Sequence, residues 1–446
     1  MKQQKKIVSG FGGFPKMKSE INFVEDDEEI FSLLKKNQDF ALRGCGSSYG
    51  DAAIGSTIII KNLSSFAEAT AKNKKIFLDE EKQFVRCDSS VTIRELLNKI
   101  IPKGFFLHVV PGTSHVSVGG AIAADVHGKN NFNAGSFCDY VVEMEMLLAN
   151  GEKIICSEKS NEKFFNSVCG GMGLIGVVTT ATIQLKKISS SFIEQKTFEA
   201  KNISALMKLF SSNEDKEYLI AWMDTCVSSK YFGESVFFTA EHVAEIEKKI
   251  SSLNFSGRNI PVTFPFSLLN NAILKVNNDG YRTSNLKNEN PKKDFVTFFF
   301  PLDKLINWQR LYGKNGFLQY QVAFTEENFF VALEKFLSLM KKKKESSFLT
   351  TIKKLRAAKG LLSFPLNGFC VAIDFPNTKK VHDMLNEFDR ITIEHSGKIY
   401  LAKDARMSKE TFWQTQPNIE EFLARKKEFD AEEKFQTALY KRLFKR

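Results

Sequence analysis

Histidine is scarce, at six in 446 residues, and proline numbers only ten. Cysteine is odd in number, at seven, and no two form a C-x-x-C pair. That count argues against a disulfide framework and against structural zinc, so no metal is expected and the compartment is expected to be reducing and cytoplasmic. No run of about eighteen apolar residues occurs, so no helix is expected to span a bilayer. The opening "MKQQKKIVSGFGGFP" is basic but has no apolar core, so no secretory signal is expected. No G-x-x-x-x-G-K-[ST] run occurs, which removes a P-loop. The chain carries a net charge of +11, yet its basic residues are scattered and no zinc-finger or RRM-like pattern accompanies them. Nucleic acid is therefore not an expected partner. Small basic clusters stand at Lys341–Lys344 and Lys441–Arg446, and Lys341–Lys344 reads as a solvated helix end. The alternative reading is peripheral contact with an anionic inner membrane surface.

What is present is globular: 43% hydrophobic, 26% charged, and rich in phenylalanine, with 42. The length predicts two domains. Residues 1–186 read as short strands and helices in an α+β pattern. Strands are expected at Ser56–Leu63, Phe84–Ser90 and Gly176–Leu185, and a helix after Thr92, where Thr92 and Glu95 have capping-box spacing. "VVEMEMLLANGEKIICS" predicts a hairpin with Asn150 and Gly151 supplying the positive φ angles of a tight turn. Residues 187–397 read as a second α+β domain on an antiparallel sheet. Its expected strands are "KYFGESVFFTA", "DFVTFFFPLD" and "GFLQYQVAF", and "ENFFVALEKFLSLMKKKK" is its clearest helix. Residues 398–446 return to a charged, helical texture.

Three glycine-rich segments fall in the first domain: "RGCGSSYGD" (Arg43–Asp51), "PGTSHVSVGGAIAADVHGKN" (Pro111–Asn130) and "CGGMGLIGVV" (Cys169–Val178). Glycines let backbone N–H groups converge on an anion, and Ser47, Ser48 and Ser117 add hydroxyl donors. Together they favour a large phosphorylated cofactor. Gly171–Gly176 matches G-x-G-x-x-G literally, but a dinucleotide site needs a strand before it and a helix after it. Here a helix is expected before and a strand after, so a Rossmann site is rejected.

These segments resemble the FAD-binding domain of vanillyl-alcohol-oxidase-type flavoproteins. "VGGAIAADVHGKNNFNAGSF", "GFLQYQ", "LLSFPLNGF" and "IYLAKDAR" narrow the resemblance to the decaprenylphosphoryl-β-D-ribose 2′-oxidase family. The resemblance implies an FAD domain built from the N-terminal part and the C-terminal tail, with the substrate domain inserted between them. It implies oxidation of the C2 hydroxyl of a lipid-linked ribose phosphate to a ketone, as the first half of an epimerisation. An NADH-dependent short-chain reductase and a quinone acceptor are the implied partners. An aldonolactone or alditol oxidase with a soluble substrate is the rival flavoenzyme, and a non-catalytic phospholipid or nucleotide carrier is the rival of another class.

By resemblance, FAD is lined by Leu42, Arg43, Gly44, Cys45, Gly46, Ser47, Ser48, Tyr49, Gly50, Asp51 and Ala52. Gly112, Ser117, Val118, Gly119, Gly120, Ala124, Asp125, Val126, His127, Val178 and Tyr400 complete that set. Ser47 stands where covalent relatives carry a histidine, which implies non-covalent FAD. His127 and Lys403 are the candidate catalytic groups, one as a proton exchanger near neutral pH and one as a fixed cation beside the flavin. Lys129, Trp222, Gln319, Gln321, Lys354 and Cys370 are the candidate substrate contacts. Gln319 and Gln321 alternate on one strand and so share a face. The period of two also places Cys370 and Ala372 together, Ala372 standing where the family commonly has cysteine, while Phe299 stands where it has a tyrosine. The residue that removes the hydroxyl proton stays open.

Overall fold

The computed structural model describes residues 1–36, 38–61, 75–244, 250, 253–288 and 290–445. The last two residues of the strand expected at Ser56–Leu63 lie outside them, as does Arg446 of the C-terminal basic cluster. Among the described residues the fold is mixed α/β, with three larger sheets that are mostly antiparallel.

The first sheet orders Lys2–Ser9, Lys16–Val24, Thr57–Lys61 and Ala41–Leu42, its first pair antiparallel and the rest parallel. The second orders Ile76–Asp79, Phe84–Asp88, Val177–Lys187, Val141–Leu147 and Lys153–Cys156, with Phe105–Leu107 on the far half of Val177–Lys187. The helix Ile93–Ile100 packs beside it. Thr92 and Glu95 form the expected capping box there, and Ile93, Leu96, Leu97 and Ile100 make one buried face. Each of those wholly buried side chains is worth about 1.5–3 kcal/mol. Helix Glu162–Val168 precedes the Gly171–Gly176 run and strand Val177–Lys187 follows it, the reverse of a dinucleotide motif.

Two local expectations fail for local reasons. The Val141–Leu147 and Lys153–Cys156 hairpin forms, but only Gly151 takes a positive φ (88°). The connection is longer than two residues: Gly151 donates to Leu148 O, Leu148 donates to Glu152 O, and the Asn150 side chain accepts from Glu152 N–H. The expected strand in "DFVTFFFPLD" is instead a short helix, Phe295–Phe299, followed by a 3₁₀ turn, Pro301–Lys304. Asp294 caps it by accepting from Thr297 N–H, and a nearly continuous apolar run carries no period to tell helix from strand.

The third sheet has eight antiparallel strands in the order Lys292–Asp294, Phe192–Ala200, Ser235–His242, Tyr218–Met223, Thr350–Leu355, Gly368–Pro376, Phe317–Phe324 and Lys398–Ile399. Every residue of Phe317–Phe324 is buried, so both faces are covered. Helices Glu326–Lys343 and Lys379–Glu394 cover one face, where Tyr320 donates to Asp389 and shares a hydrogen bond with Thr392. The C-terminal residues return to the first sheet: Phe40 bridges Phe435, and Arg442 forks onto both oxygens of Asp51 (2.7 and 2.8 Å) while also binding Asp404.

Candidate active site

The other face of the third sheet carries the site. Residues directly opposite in an antiparallel pair point to the same side. Gln321 lies opposite Ala372, Ala372 opposite Thr351, and Thr351 opposite Trp222. Two residues along, Gln319 lies opposite Asp374, and on the other side Cys370 lies opposite Lys353. These side chains therefore share one surface, and Cys370 and Ala372 sit on it together as expected. Both glutamines are buried and bonded: Gln321 meets His127 Nε2 at 3.0 Å, and Gln319 donates to Asp374 Oδ1 at 2.5 Å.

His127 comes from the "HGKN" turn after the helix Val118–Ala123 and packs against Phe364 and Tyr400. With the Gln321 amide donating, Nε2 is the acceptor and Nδ1 carries the proton; Nδ1 has no partner among the described residues. Burial, then the charges of Lys353 and Lys403, hold the His127 pKa well below the usual imidazole value. His127 is thus a buried ring that accepts from Gln321.

Three half-buried lysines lie nearby, Lys353 and Lys403 close enough to act on it and Lys129 two residues on. Lys129 donates to Phe298 O and lies over the Phe298 ring, and burial brings its pKa down to about 7. Lys403 sits 3.4 Å from the centroid of the Tyr49 ring, and burial brings it down to about 7 against the pull of Asp374. Its neighbour Asp404 is taken by Arg442 and by the N–H groups of Arg406 and Met407, so Lys403 is not a surface partner of Asp404. The third is Lys353, whose pKa burial also lowers. Among the described residues none of the three has a carboxylate within ion-pair distance. Buried cations are normally paired, so this arrangement is built to receive an anion.

Lys353 and Asp374 were missed by sequence reasoning. Lys354, the expected contact, points to the helix face, where it pairs with Glu214 at 2.5 Å and Glu326 at 3.6 Å. Adjacent strand residues face opposite ways, and only the register with Cys370 shows which of the two lysines faces the site. Asp374 had a signal: a carboxylate inside the apolar run "CVAIDFP" must be buried with a partner. Its Oδ2 has no partner among the described residues, and burial pushes its pKa up to about 7. Trp222 packs against Tyr281 with the rings tilted at 4.8 Å and lies three strands from Gln321, roughly 14 Å across the sheet, at the margin of the site. Phe299 packs against Phe106 and Tyr218 in the core, and its neighbour Phe298 is the ring that meets Lys129.

The glycine loops abut this surface. A Cβ on Gly44 would lie 2.2 Å from Ser117 Oγ, and one on Gly50 would lie 1.9 Å from Asp404 O, so both approaches require glycine. Gly46 takes a φ of 72°. Arg43 is a clamp, donating to Ser9 O and Ala53 O; Ser47 donates to His115 O; Asp51 anchors Arg442. The backbone N–H groups of Gly44, Gly46, Ser47 and Ser48 reach no other backbone carbonyl among the described residues. Those of Val118, Gly119 and Gly120 are spent on Val91 O, Ser89 O and Ser117 Oγ. The anion grip therefore falls to the first loop, and Gly112 beside it is open, with nothing within 4 Å of an added Cβ. Ala124 O accepts from the Tyr400 hydroxyl. Asp125, whose pKa burial raises to about 6, accepts from Cys138 N–H and Ser363. Val178 is a strand residue opposite Met146, and Cys45 is half-buried. A phosphate-bearing cofactor fits this loop.

Residues 24–157 match the FAD-binding domain family model. Over 418 residues the chain is 31% identical to decaprenylphosphoryl-β-D-ribose oxidase of Mycolicibacterium smegmatis, covering 90% of this chain and 88% of that one. The chain belongs to the decaprenylphosphoryl-β-D-ribose oxidase family. More distant likeness reaches L-gulonolactone oxidase of Bos taurus, at 26% over 47% of this chain and 45% of that one. Cytokinin dehydrogenase 2 of Arabidopsis thaliana is 26% identical over 34% of this chain and 29% of that one. As a member of the ribose oxidase family the chain is an FAD-dependent oxidoreductase, and the first glycine loop is the part of it suited to hold the cofactor's pyrophosphate.

Proposed function

We propose that this protein oxidises the C2 hydroxyl of a polyprenyl-phosphate ribose to a ketone. The observation that carries the reading is the gathering of half-buried Lys353 and Lys403 near the buried His127, with half-buried Lys129 two residues on, none of the three paired with a carboxylate among the described residues. A sugar phosphate brings the anion that these cations lack, together with the hydroxyls that His127 and the two glutamines suit.

FAD, when bound, supplies the hydride acceptor. The chain supplies the rest. Lys129 and Lys353 hold the phosphate. His127 Nδ1–H and Gln321 orient the ribose. Lys403 polarises the reacting hydroxyl, and Asp374 takes its proton through the free Oδ2, its pKa near neutrality suiting it to both protonation states. Gln319 fixes the Asp374 carboxylate, and Tyr49 fixes Lys403.

The same reading makes the chain a two-part FAD domain, 1–186 with 398–446, around an inserted substrate domain, 187–397. The return of Arg442 and Phe435 to Asp51 and Phe40 supports it. The ketone calls for a reducing partner, an NADH-dependent short-chain reductase, and the electrons for a quinone. A lipid substrate calls for peripheral contact with a bilayer.

Anaerobic bleaching of the flavin by a panel of short-chain polyprenyl-phosphate pentoses and free aldonolactones tests the reading. Bleaching by the phosphoribose is expected; bleaching only by aldonolactones would move the chain to the rival oxidase class, and absence of flavin absorbance would make it a carrier. Acid precipitation is expected to release the flavin into the supernatant, since Ser47 offers no site of attachment.

A further inference from the structure

The segment "LLSFPLNGF" and the third glycine run meet in the structure. Residues 356–367 join the strands Thr350–Leu355 and Gly368–Pro376. An antiparallel pair needs only about two to five residues to turn. This connection is longer, and its middle is buried: Leu362, Ser363 and Phe364 are at most 2% exposed. A buried loop has to place each of its polar groups. Leu361 N–H donates to Asn166 O, Ser363 N–H donates to Gly360 O, and Ser363 O accepts from Lys398 Nζ.

The seat of the loop is made of glycine. A Cβ on Gly170, whose φ is 74°, would lie 2.6 Å from Ser363 Oγ. One on Gly360 would lie 2.4 Å from the same atom and 2.2 Å from Cys169 O. The N–H groups of Gly170, Gly171 and Met172 are spent on Ile122 O, Val168 O and Ala123 O, so they form no anion nest. The glycines here leave room for a serine side chain from a distant part of the sequence.

In that seat Ser363 Oγ donates to Asp125 Oδ2 at 2.6 Å, across 238 residues of sequence, and Asp125 Oδ1 accepts from Cys138 N–H at 3.0 Å. Asp125 turns the chain out of the helix Val118–Ala123 with a φ of 38°, in the left-handed region. A residue with a Cβ holds that conformation only where its surroundings fix it. The two hydrogen bonds fix it, and His127 follows two residues later. Phe364, the neighbour of Ser363, packs against the imidazole at 5.3 Å and stacks on Tyr400 at 4.6 Å. Ser363 therefore holds both the turn that carries His127 and the ring that backs it.

We propose that Ser363 is a positioning residue for the oxidation: seated against Gly170, it holds Asp125 and Phe364 so that His127 meets the ribose in one orientation. The inference rests on the role of His127 in the proposed function. Lys129 lies further along the same turn but is pinned separately, its carbonyl accepting from Leu219 N–H and its Nζ donating to Phe298 O. Loss of the Ser363 hydroxyl thus reaches the orientation of the sugar and spares the hold on its phosphate.

Ser363→Ala in the FAD-loaded full chain tests it. Anaerobic bleaching by saturating short-chain phosphoribose is expected to slow roughly 10- to 100-fold, the scale of a misoriented reacting group, while KM stays within about threefold. In a cycle with His127→Ala the losses are expected not to add: once His127 is gone, Ser363→Ala should slow bleaching by less than about twofold. Hydrogen exchange of the resting protein gives a readout without substrate. Amides of residues 124–138 and 356–366 are expected to exchange faster in Ser363→Ala, with the rest of the chain unchanged. Phe364→Leu, which keeps the Asp125 bond, is expected to give the same loss of kcat, and it decides the question where Ser363→Ala retains no flavin. Wild-type bleaching by these variants, a raised KM at constant kcat, full additivity with His127→Ala, or faster exchange throughout the fold overturns the proposal. Unslowed variants beside a wild type that the phosphoribose bleaches leave the proposed oxidation standing. A wild type that the phosphoribose does not bleach removes that oxidation, and the exchange pattern then judges the hold of Ser363 on the turn, a local change upholding it and a global or absent one refuting it.

Discussion

Two lysines, one buried and one half-buried, show how differently this chain treats the same group. Lys426 is enclosed by the C-terminal helices and saturated: it donates to Asp430 at 2.7 Å, Leu174 O at 2.8 Å and Phe435 O at 2.9 Å. Asp430 in turn accepts from Lys434 N–H and Phe435 N–H. Lys403 is only half-buried; it rests on an aromatic ring and feels Asp374 only at a distance. The first arrangement uses every donor to hold the tail against the glycine loops. The second leaves donors uncommitted, and burial without partners destabilises the fold unless a ligand completes the set. Saturation marks the structural ion pair, and its lack marks the site.

The largest expected effects break the two apart. Lys426→Ala leaves Asp430 buried and unpaired and is expected to lose about 3–5 kcal/mol in urea unfolding. Turnover per folded molecule should survive. Lys403→Ala is expected to hold or raise the unfolding midpoint while substrate-driven bleaching slows roughly 100- to 1,000-fold, the scale of a lost transition-state donor. Matched losses of stability in the two variants would erase the distinction.

A smaller effect separates neighbours. Lys353→Ala is expected to raise KM for the phosphoribose roughly tenfold or more, since a charge-assisted contact is worth about 1.5–3 kcal/mol. Lys354→Ala, which removes ion pairs with Glu214 and Glu326 and a cation over the Phe369 ring on the far face, is expected to stay within about twofold. The reverse result would mean that the strand is read from the wrong face.

That pair also shows where legibility ends. The glycine loops, the Thr92–Glu95 cap, the alternation of Gln319 and Gln321 and the reversed context of Gly171–Gly176 are local patterns, and each was legible. The choice between Lys353 and Lys354 depends on register with a strand about fifteen residues away, which no local pattern carries. The phenylalanines at 295–300 are buried on several sides, so they show neither helical nor strand period. The lowered pKa of His127 comes first from burial and then from Lys353 and Lys403, far away in sequence, so no local pattern carried it.

The smallest effect probes the cost of an incomplete site directly. Burial raises the Asp374 pKa to about 7, above the ordinary carboxylate value. The folded state therefore binds the proton more tightly than the unfolded chain does. The stability this contributes is whole below the unfolded value, near pH 4, and is lost as pH rises through about 7. Tyr49, Tyr312 and Gln319 face the same carboxylate, and among the described residues Lys403 is the one that brings a positive charge to it. Asp374→Asn cannot lose that proton. Its unfolding free energy is expected to match the wild type near pH 4 and exceed it by about 1 kcal/mol or more near pH 8, one pKa unit being worth about 1.4 kcal/mol. Saturating phosphoribose should shrink the gap, because the ligand supplies partners that the free Oδ2 lacks. A gap that opens at low pH instead would mean that Asp374 is a paired structural carboxylate like Asp430, and the contrast between the two regions would fail at its carboxylate half.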